Sequence, residues 1–164
     1  MDRKPNPMEY KRPTQVLVYP VRHTEDGWRF LMLHRTPERG GFWQGVTGGA
    51  EWGEQLSQAA QRELFEETHL RPIQLWQVDC SYTYPLQDRW RPQYQPGTLK
   101  IAEYVSLAVV GEAEAVVSPE EHDDWRWCAV QEALSLLTWP ENVNALHCCQ
   151  GLLEDDSQPA PDGT

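Results

Sequence analysis

One stretch of the chain, from Gly48 to Leu70, constrains the fold more than any other. It reads GGAEWGEQLSQAAQRELFEETHL. Three glycines come early, and the segment from Glu54 to Leu70 then contains neither glycine nor proline. Glycines favour tight turns and a run without helix breakers favours a helix. The sequence therefore predicts a turn that leads directly into a helix.

The predicted helix carries three glutamates where an ordinary surface helix would carry apolar residues. Glu63, Glu66 and Glu67 stand at positions i, i+3 and i+4, so their side chains are neighbours. The apolar stripe of the same helix consists of Leu56, Ala59, Ala60 and Leu64. At about 100° per residue the glutamates continue this stripe. The sequence therefore predicts that they face the body of the protein, at a cleft.

Carboxylates gathered at a cleft repel one another. Two such charges about 6 Å apart repel by about 3 kcal/mol at an effective dielectric constant of roughly 20. A cation among them would offset this cost, and oxygen ligands favour hard ions such as Mg²⁺ or Mn²⁺. We therefore expect a divalent metal site. Two alternatives are a solvated acidic helix paired with Arg62, and a calcium-binding module, although the chain lacks a D-x-D-x-D-G loop.

Length and composition favour a single folded domain. The chain has 164 residues, of which 40% are hydrophobic, so it can bury a sizeable core. We expect one domain over residues 10–153, with flexible termini at residues 1–9 and 154–164. The four cysteines form no C-x-x-C pair, which favours free thiols in a reducing cytoplasm.

The net charge of −11 limits the classes of partner. It repels the backbone of a nucleic acid polymer and an anionic membrane surface. No run of residues has the 18 or more apolar positions of a membrane span, and because no apolar core follows the basic residues of MDRKPNPMEYKRP, we expect no secretory signal there. A small polyphosphate molecule can still bind at a site where a metal ion and nearby basic residues outweigh the net negative charge of the protein. The sequence leaves open whether the chain acts alone or as a homodimer.

Segments of strand and helix alternate along the chain. The predicted strands are Thr14–Arg22, Trp28–Arg35, Phe42–Thr47, Leu75–Tyr84, Ile101–Val110 and Trp125–Val130. Two further helices are predicted, from Gln131 to Leu137 and from Pro140 to Leu153, and Pro85 to Gly97 and Ser118 to Asp124 are predicted connections. This alternation predicts an α/β fold with a mixed sheet.

The spacing of the central stretch resembles the Nudix box. The matching residues are Gly48, Glu54, Arg62-Glu63-Leu64, Glu66-Glu67 and Leu70. His69 stands where that family has a glycine that ends the helix in a left-handed conformation, which histidine tolerates better than most residues. The resemblance implies an α/β/α sandwich with the box helix lying against a mixed sheet. It also implies metal-dependent hydrolysis of a nucleoside diphosphate linked to another group.

A second acidic segment resembles the place where the family completes its metal site. The segment reads E-H-x-x-W-x-W from Glu121, with Glu120 as the alternative ligand. Taken alone, the segment is a solvated acidic loop. The resemblance implies a metal site made by the Gly48 carbonyl, Glu63, Glu66, Glu67 and Glu121. Arg62 would hold a helix glutamate in place.

The flanking segments YKRP, LHR and FWQGVTGG resemble those of family members that hydrolyse dihydroneopterin triphosphate. This similarity implies that Lys11, Arg35 and Thr47 contact substrate. Trp43 and Trp90 are candidates for stacking on a base or pterin ring.

We therefore expect a Mg²⁺-dependent pyrophosphohydrolase that converts a (deoxy)nucleoside or pterin triphosphate to a monophosphate. Its catalytic residues would be Arg62, Glu63, Glu66, Glu67 and Glu121. The alternatives are a Nudix hydrolase of dinucleoside polyphosphates or nucleotide sugars and a non-catalytic nucleotide-binding module.

Overall fold

The structure, a computed structural model, describes residues 6–154. Its strands and helices are β1 (Thr14–Thr24), β2 (Gly27–Arg35), β3 (Trp43–Gln44), β4 (Val46–Gly49), α1 (Leu56–Thr68), β5 (Gln74–Pro85), β6 (Lys100–Val109), β7 (His122–Cys128), α2 (Val130–Leu136) and α3 (Pro140–Glu154). Within the termini predicted to be flexible, Pro7–Glu9 form a 3₁₀ turn. Residues 1–5 and 155–164 lie outside the described residues.

The strands form one seven-stranded mixed sheet. Its order is β3-β2-β1-β6-β5, with β4 paired to β1 and β7 paired to β2. β1 and β6 run parallel, and the other pairs are antiparallel. The predicted mixed α/β sheet is thus confirmed.

Helices cover both faces of the sheet, each over its own apolar core. On one face, Ala59, Ala60 and Leu64 of α1 pack against residues of β1, β2 and β4 such as Val16 and Leu31. On the other face, α2 and α3 cover a core that includes Leu17, Tyr19 and Val105. Residues along each strand alternate between the two cores, as the pleat requires. The result is the α/β/α sandwich that the family resemblance implies.

Both ends of α1 are capped, and its C-terminal end follows the sequence prediction. Gln55 and Gln58 form a reciprocal capping box at its start, which satisfies two backbone N–H groups that the helix leaves unpaired. At its end, His69 has φ 61° and ψ 12°, and its N–H donates to the Phe65 carbonyl. His69 therefore takes the left-handed conformation expected of the glycine it replaces. Its ring stacks on that of Phe65, with the centroids 5.4 Å apart.

Two predicted strand boundaries are wrong. The segment Phe42–Thr47 is not one strand, because Gly45 separates β3 from β4. A Cβ at Gly45 would lie 2.7 Å from the Val18 carbonyl oxygen, so the chain bends where only glycine fits. β7 begins at His122, three residues earlier than predicted, because its acidic start pairs with the end of β2.

Two further findings bear on the predicted classes. The four cysteines are free thiols. Among the described residues, no helix has the length and apolar character needed to cross a bilayer.

Candidate active site

Most of the residues predicted to act together line one cavity of about 240 Å³ beside α1. Its lining consists of Arg35, Arg39, Thr47, Glu63, Glu66, Glu67, Ser118, Glu121 and His122. The glutamates come from α1 and from the turn before β7, and the arginines come from the end of β2 and the loop after it. The cavity therefore has an acidic side formed by glutamates and a basic side formed by arginines.

Glu67 is the most constrained carboxylate in the cavity. It is 6% exposed, no donor reaches its Oε2 atom, and its carboxyl group interacts with that of Glu63. Burial raises its pKa to about 9, with repulsion from Glu63 and Glu121 adding to the effect. A buried, unpartnered carboxylate is costly unless an opposite charge compensates it. Glu67 is thus the centre of the electrostatic strain in this site.

His122 faces Glu67 across the cavity. The His122 Nε2 atom lies 3.6 Å from Glu67 Oε1, and the imidazole is 3% exposed. Burial lowers its pKa to about 4, and the charges of Arg35 and Arg39 act in the same direction. The contact is therefore made by a neutral imidazole, not by an imidazolium ion. His122 is not among the residues that the sequence predicts for the site.

Arg62 organises the acidic side of the cavity. Its guanidinium donates two hydrogen bonds to the Glu54 carboxylate, at 2.8 and 2.9 Å. It also donates to Glu63 at 2.9 Å, to Glu66 at 3.3 Å and to the Gly49 carbonyl at 2.9 Å. These acceptors raise the pKa of Arg62 above its usual value, with Glu54 the largest cause. Arg62 thereby fixes the turn and the first two box-helix glutamates relative to each other.

The segment before β1 holds the loop between β4 and α1. Arg12 donates to the carbonyls of Glu51 and Glu54, at 3.0 and 2.7 Å. The Trp52 indole N–H donates to the Tyr10 carbonyl at 2.7 Å. This loop ends at Glu54, the main partner of Arg62, so Arg12 supports the acidic cluster from outside it.

Gly48 lies directly beneath the Glu63 carboxylate. A Cβ added to Gly48 would lie 2.0 Å from Glu63 Cδ and 2.3 Å from each carboxylate oxygen. Only glycine therefore lets Glu63 take its position over the turn. The Glu63 pKa is raised by this burial, although Arg62 opposes the shift.

Gly48→Ala is therefore expected to displace the Glu63 carboxylate without unfolding the protein. The atom that must move is the end of a flexible side chain, so we expect a small change in melting temperature. We expect cation affinity and turnover to fall about 10- to 100-fold, because small displacements of reacting groups have effects of this size. Gly49→Ala is the matched control, since nothing lies within 4 Å of its added Cβ. Equal behaviour of the two variants in calorimetry and turnover would contradict this assignment.

Arg35, Arg39 and Thr47 form the other wall. The Arg35 Nε atom donates to the Arg39 carbonyl at 2.8 Å, and burial lowers the Arg35 pKa. Arg39 lies 3.9 Å from a Glu121 oxygen. The Gln44 amide donates to the Thr47 hydroxyl at 3.0 Å, which leaves the Thr47 O–H free to donate into the cavity. Arg39 is not predicted from the sequence, because its place depends on the loop after β2.

Two predicted substrate contacts lie outside this cavity. Lys11 is exposed, and its backbone N–H donates to the Gln93 carbonyl at 2.8 Å. Trp43 packs on the opposite face of the sheet, because β3 pairs it with His34. The Trp43 ring lies 5.0 Å from the His34 ring and 5.1 Å from the Arg126 guanidinium carbon.

Two other residues also lie outside the cavity lining. Trp90 is 44% exposed, and the Arg89 guanidinium carbon lies 4.8 Å from its ring centroid. Of the two late glutamates, Glu121 lines the cavity, and Glu120 is exposed and outside the lining.

The residues of the cavity fit a divalent cation. Glu67, Glu121 and His122 each offer a ligand atom, and these atoms lie within 4.8 Å of one another. Glu63 lies beside them, and the Glu67 oxygen without a donor can bind a cation once the carboxyl has lost its proton. Glu66 is less suited, because its side chain is 56% exposed and bonded to Arg62.

The raised pKa of Glu67 predicts that protons compete with cations. Its folded pKa of about 9 exceeds the usual 4.5, so the folded protein binds this proton more tightly than the unfolded chain. Without a cation, this group's contribution to stability therefore declines as the pH rises from about 4.5 to 9. Cation affinity should instead rise with pH, by up to about tenfold per unit. Thermal-shift titrations with Mg²⁺ at pH 6.5, 7.5 and 8.5 should show this trend, and pH-independent affinity would contradict it.

Fold and site together define a class: an α/β/α sandwich in which a glycine turn and a glutamate-rich helix present carboxylates to a cavity beside a mixed sheet. The chain belongs to the Nudix hydrolase family, since the NUDIX domain model matches residues 11–147.

Comparison with individual proteins agrees with this assignment. The chain is 36% identical over 142 residues to the dihydroneopterin triphosphate diphosphatase of Escherichia coli K12, covering 84% of this chain and 91% of that one. It is 32% identical over 143 residues to the enzyme of the same name from Haemophilus influenzae, covering 85% and 88%. The crystal structure of a NUDIX hydrolase from Listeria monocytogenes superposes with a TM-score of 0.73 at 30% identity, covering 84% and 92%.

Proposed function

We propose that this Nudix hydrolase is a Mg²⁺-dependent pyrophosphohydrolase of a pterin or (deoxy)nucleoside triphosphate. Its products would be the monophosphate and pyrophosphate. The observation that carries the proposal is the buried Glu67 carboxylate, which has an oxygen without a partner among other carboxylates. The similarity to two dihydroneopterin triphosphate diphosphatases supports the substrate class.

Glu63, Glu67 and Glu121 are the proposed metal ligands, with Glu66 and the Gly48 carbonyl on the margin of the site. Mn²⁺ is the expected substitute, because it accepts the same oxygen ligands. A bound Mg²⁺ would neutralise charge on the phosphoryl oxygens and acidify the attacking water.

The remaining groups of the cavity hold and orient the triphosphate. Arg35 and Arg39 face the carboxylates and can donate to phosphate oxygens, a role that suits the planar guanidinium. The Thr47 hydroxyl, already accepting from Gln44, can donate to a further oxygen. These donors would fix the phosphate chain for in-line attack.

A carboxylate of the cavity accepts the proton of the attacking water. Glu63 and Glu121 are the two candidates, since Glu67 is buried deeper than either. Attack at the α-phosphorus breaks its bond to the bridging oxygen, and pyrophosphate leaves. Arg62 holds Glu63 in place during this step through its 2.9 Å hydrogen bond.

A substrate screen tests the proposal. Purified protein with Mg²⁺ would be offered dihydroneopterin triphosphate, dATP, GTP, diadenosine polyphosphates and ADP-ribose, with pyrophosphate and orthophosphate measured separately. We expect pyrophosphate to be released from dihydroneopterin triphosphate and from the nucleoside triphosphates. Release of orthophosphate alone would mean attack at a terminal phosphorus, and cleavage only of the diadenosine compounds or ADP-ribose would overturn the substrate class. The absence of any hydrolysis would favour a binding module, which the intact carboxylate set argues against.

A further inference from the structure

His122 is the one imidazole among the cavity-lining residues that the structure describes. It is 3% exposed, and its Nδ1 atom has no hydrogen-bond partner. In the same cavity, no donor reaches the Glu67 Oε2 atom. The ring nitrogen nearest Glu67 is Nε2, 3.6 Å from Oε1, so a ligand held by Nε2 would also reach the Glu67 carboxyl and its unsatisfied oxygen.

A break in the sheet turns His122 toward this site. The pairing of β2 with β7 shifts register between His34 and Arg35, so that Asp124 pairs with His34 while His122 pairs with Arg35. Asp123 is the extra residue in this irregularity. Regular alternation would have put His122 on the same face as Asp124, toward α2 and α3. The bulge instead puts it on the α1 face, and bulges commonly re-aim a side chain next to a functional site.

The donor atoms of this group are mutually close. One ligand atom from each of Glu67, Glu121 and His122 lies within 4.8 Å of the others. Among the described residues, this is the one group of three such side chains that could hold an ion. Its donor set is two oxygens and one nitrogen, not the all-oxygen set that the helix glutamates alone would supply.

We propose that His122 is a nitrogen ligand of the cation site, and that it makes the site favour Co²⁺ and similar transition ions over Mg²⁺ in affinity. This inference rests on the cation site of the proposed function and adds a ligand and a selectivity to it. Imidazole binds later first-row ions well, whereas Mg²⁺ retains oxygen ligands and water. A nitrogen donor therefore strengthens Co²⁺ binding far more than Mg²⁺ binding.

Calorimetry on matched variants tests the selectivity. Co²⁺ and Mg²⁺ would be titrated separately into the wild-type protein, His122→Phe and His34→Phe. The last is the control, because His34 lies on the other face of the sheet, 2.6 Å from Asp123. We expect His122→Phe to lose at least about tenfold in Co²⁺ affinity and less than about threefold in Mg²⁺ affinity. Equal losses for both ions, or no loss for Co²⁺, would overturn the inference.

Nuclear magnetic resonance of the Co²⁺-loaded protein gives a second readout, whose decisive spectrum is that of the wild type. An imidazole bound to Co²⁺ through one nitrogen carries an exchangeable N–H on the other, whose proton resonance the ion shifts far outside the normal range. We expect this resonance in the wild type and in His34→Phe, and its loss in His122→Phe. Its absence from Co²⁺-loaded wild-type protein that still hydrolyses a triphosphate with Mg²⁺ would overturn the His122 assignment alone. A wild-type protein that binds neither ion would overturn the proposed function as well.

Discussion

Glu67→Gln is expected to lower turnover with Mg²⁺ at least about 100-fold while leaving the protein folded. Glutamine keeps the shape of the side chain but removes the charge that the cation needs, and removal of one preorganised electrostatic group commonly has an effect of this size. Without a cation, the variant should melt no lower than the wild type. The reason is that burial already keeps Glu67 protonated near pH 7, with a pKa of about 9.

Turnover, calorimetry with Mg²⁺ and a thermal melt together check this expectation. The matched control is Glu25→Gln, which makes the same substitution at an exposed residue of the turn between β1 and β2. Near-wild-type turnover of Glu67→Gln would remove the metal assignment. A variant that fails to fold would instead show that the carboxylate has a structural role that its missing hydrogen-bond partner does not suggest.

Glu121→Gln and Glu120→Gln should differ by at least about tenfold in turnover, although the two residues are adjacent. Glu121 lines the cavity and raises the pKa of Glu67 through its charge, whereas Glu120 is exposed and outside the lining. Glu121→Gln should therefore weaken Mg²⁺ binding and slow hydrolysis, and Glu120→Gln should do neither. The comparison requires only steady-state kinetics at several Mg²⁺ concentrations. The opposite order would show that the turn before β7 presents Glu120 when substrate is bound.

The local features of the site could be predicted from sequence because they depend on residues close together in the chain. Helical spacing places Glu63 and Glu67 on the face that also carries Leu64, and the structure has them there. The left-handed conformation of His69 followed from its place at the helix end. In each case the physical rule acts within a few residues.

Features that depend on distant pairing could not be predicted in this way. His122 enters the cavity because of a register shift between two strands far apart in sequence, which no local pattern encodes. Arg39 reaches the cavity from the loop after β2, whose conformation no local sequence pattern predicts. Trp43 was predicted to stack on a base or pterin ring, but the pairing of β3 with β2 places it on the other face of the sheet. Side-chain direction in a sheet depends on register, and one residue of slip reverses it.

Our account places a divalent cation among the carboxylates of the cavity. Crystals grown with Mn²⁺ and a non-hydrolysable triphosphate, measured by anomalous diffraction, test it most directly. We predict an anomalous peak bounded by Glu63, Glu67 and Glu121, in contact with the phosphate chain. A bound triphosphate with no anomalous peak in that cavity, or a peak only elsewhere on the molecule, would contradict the claim.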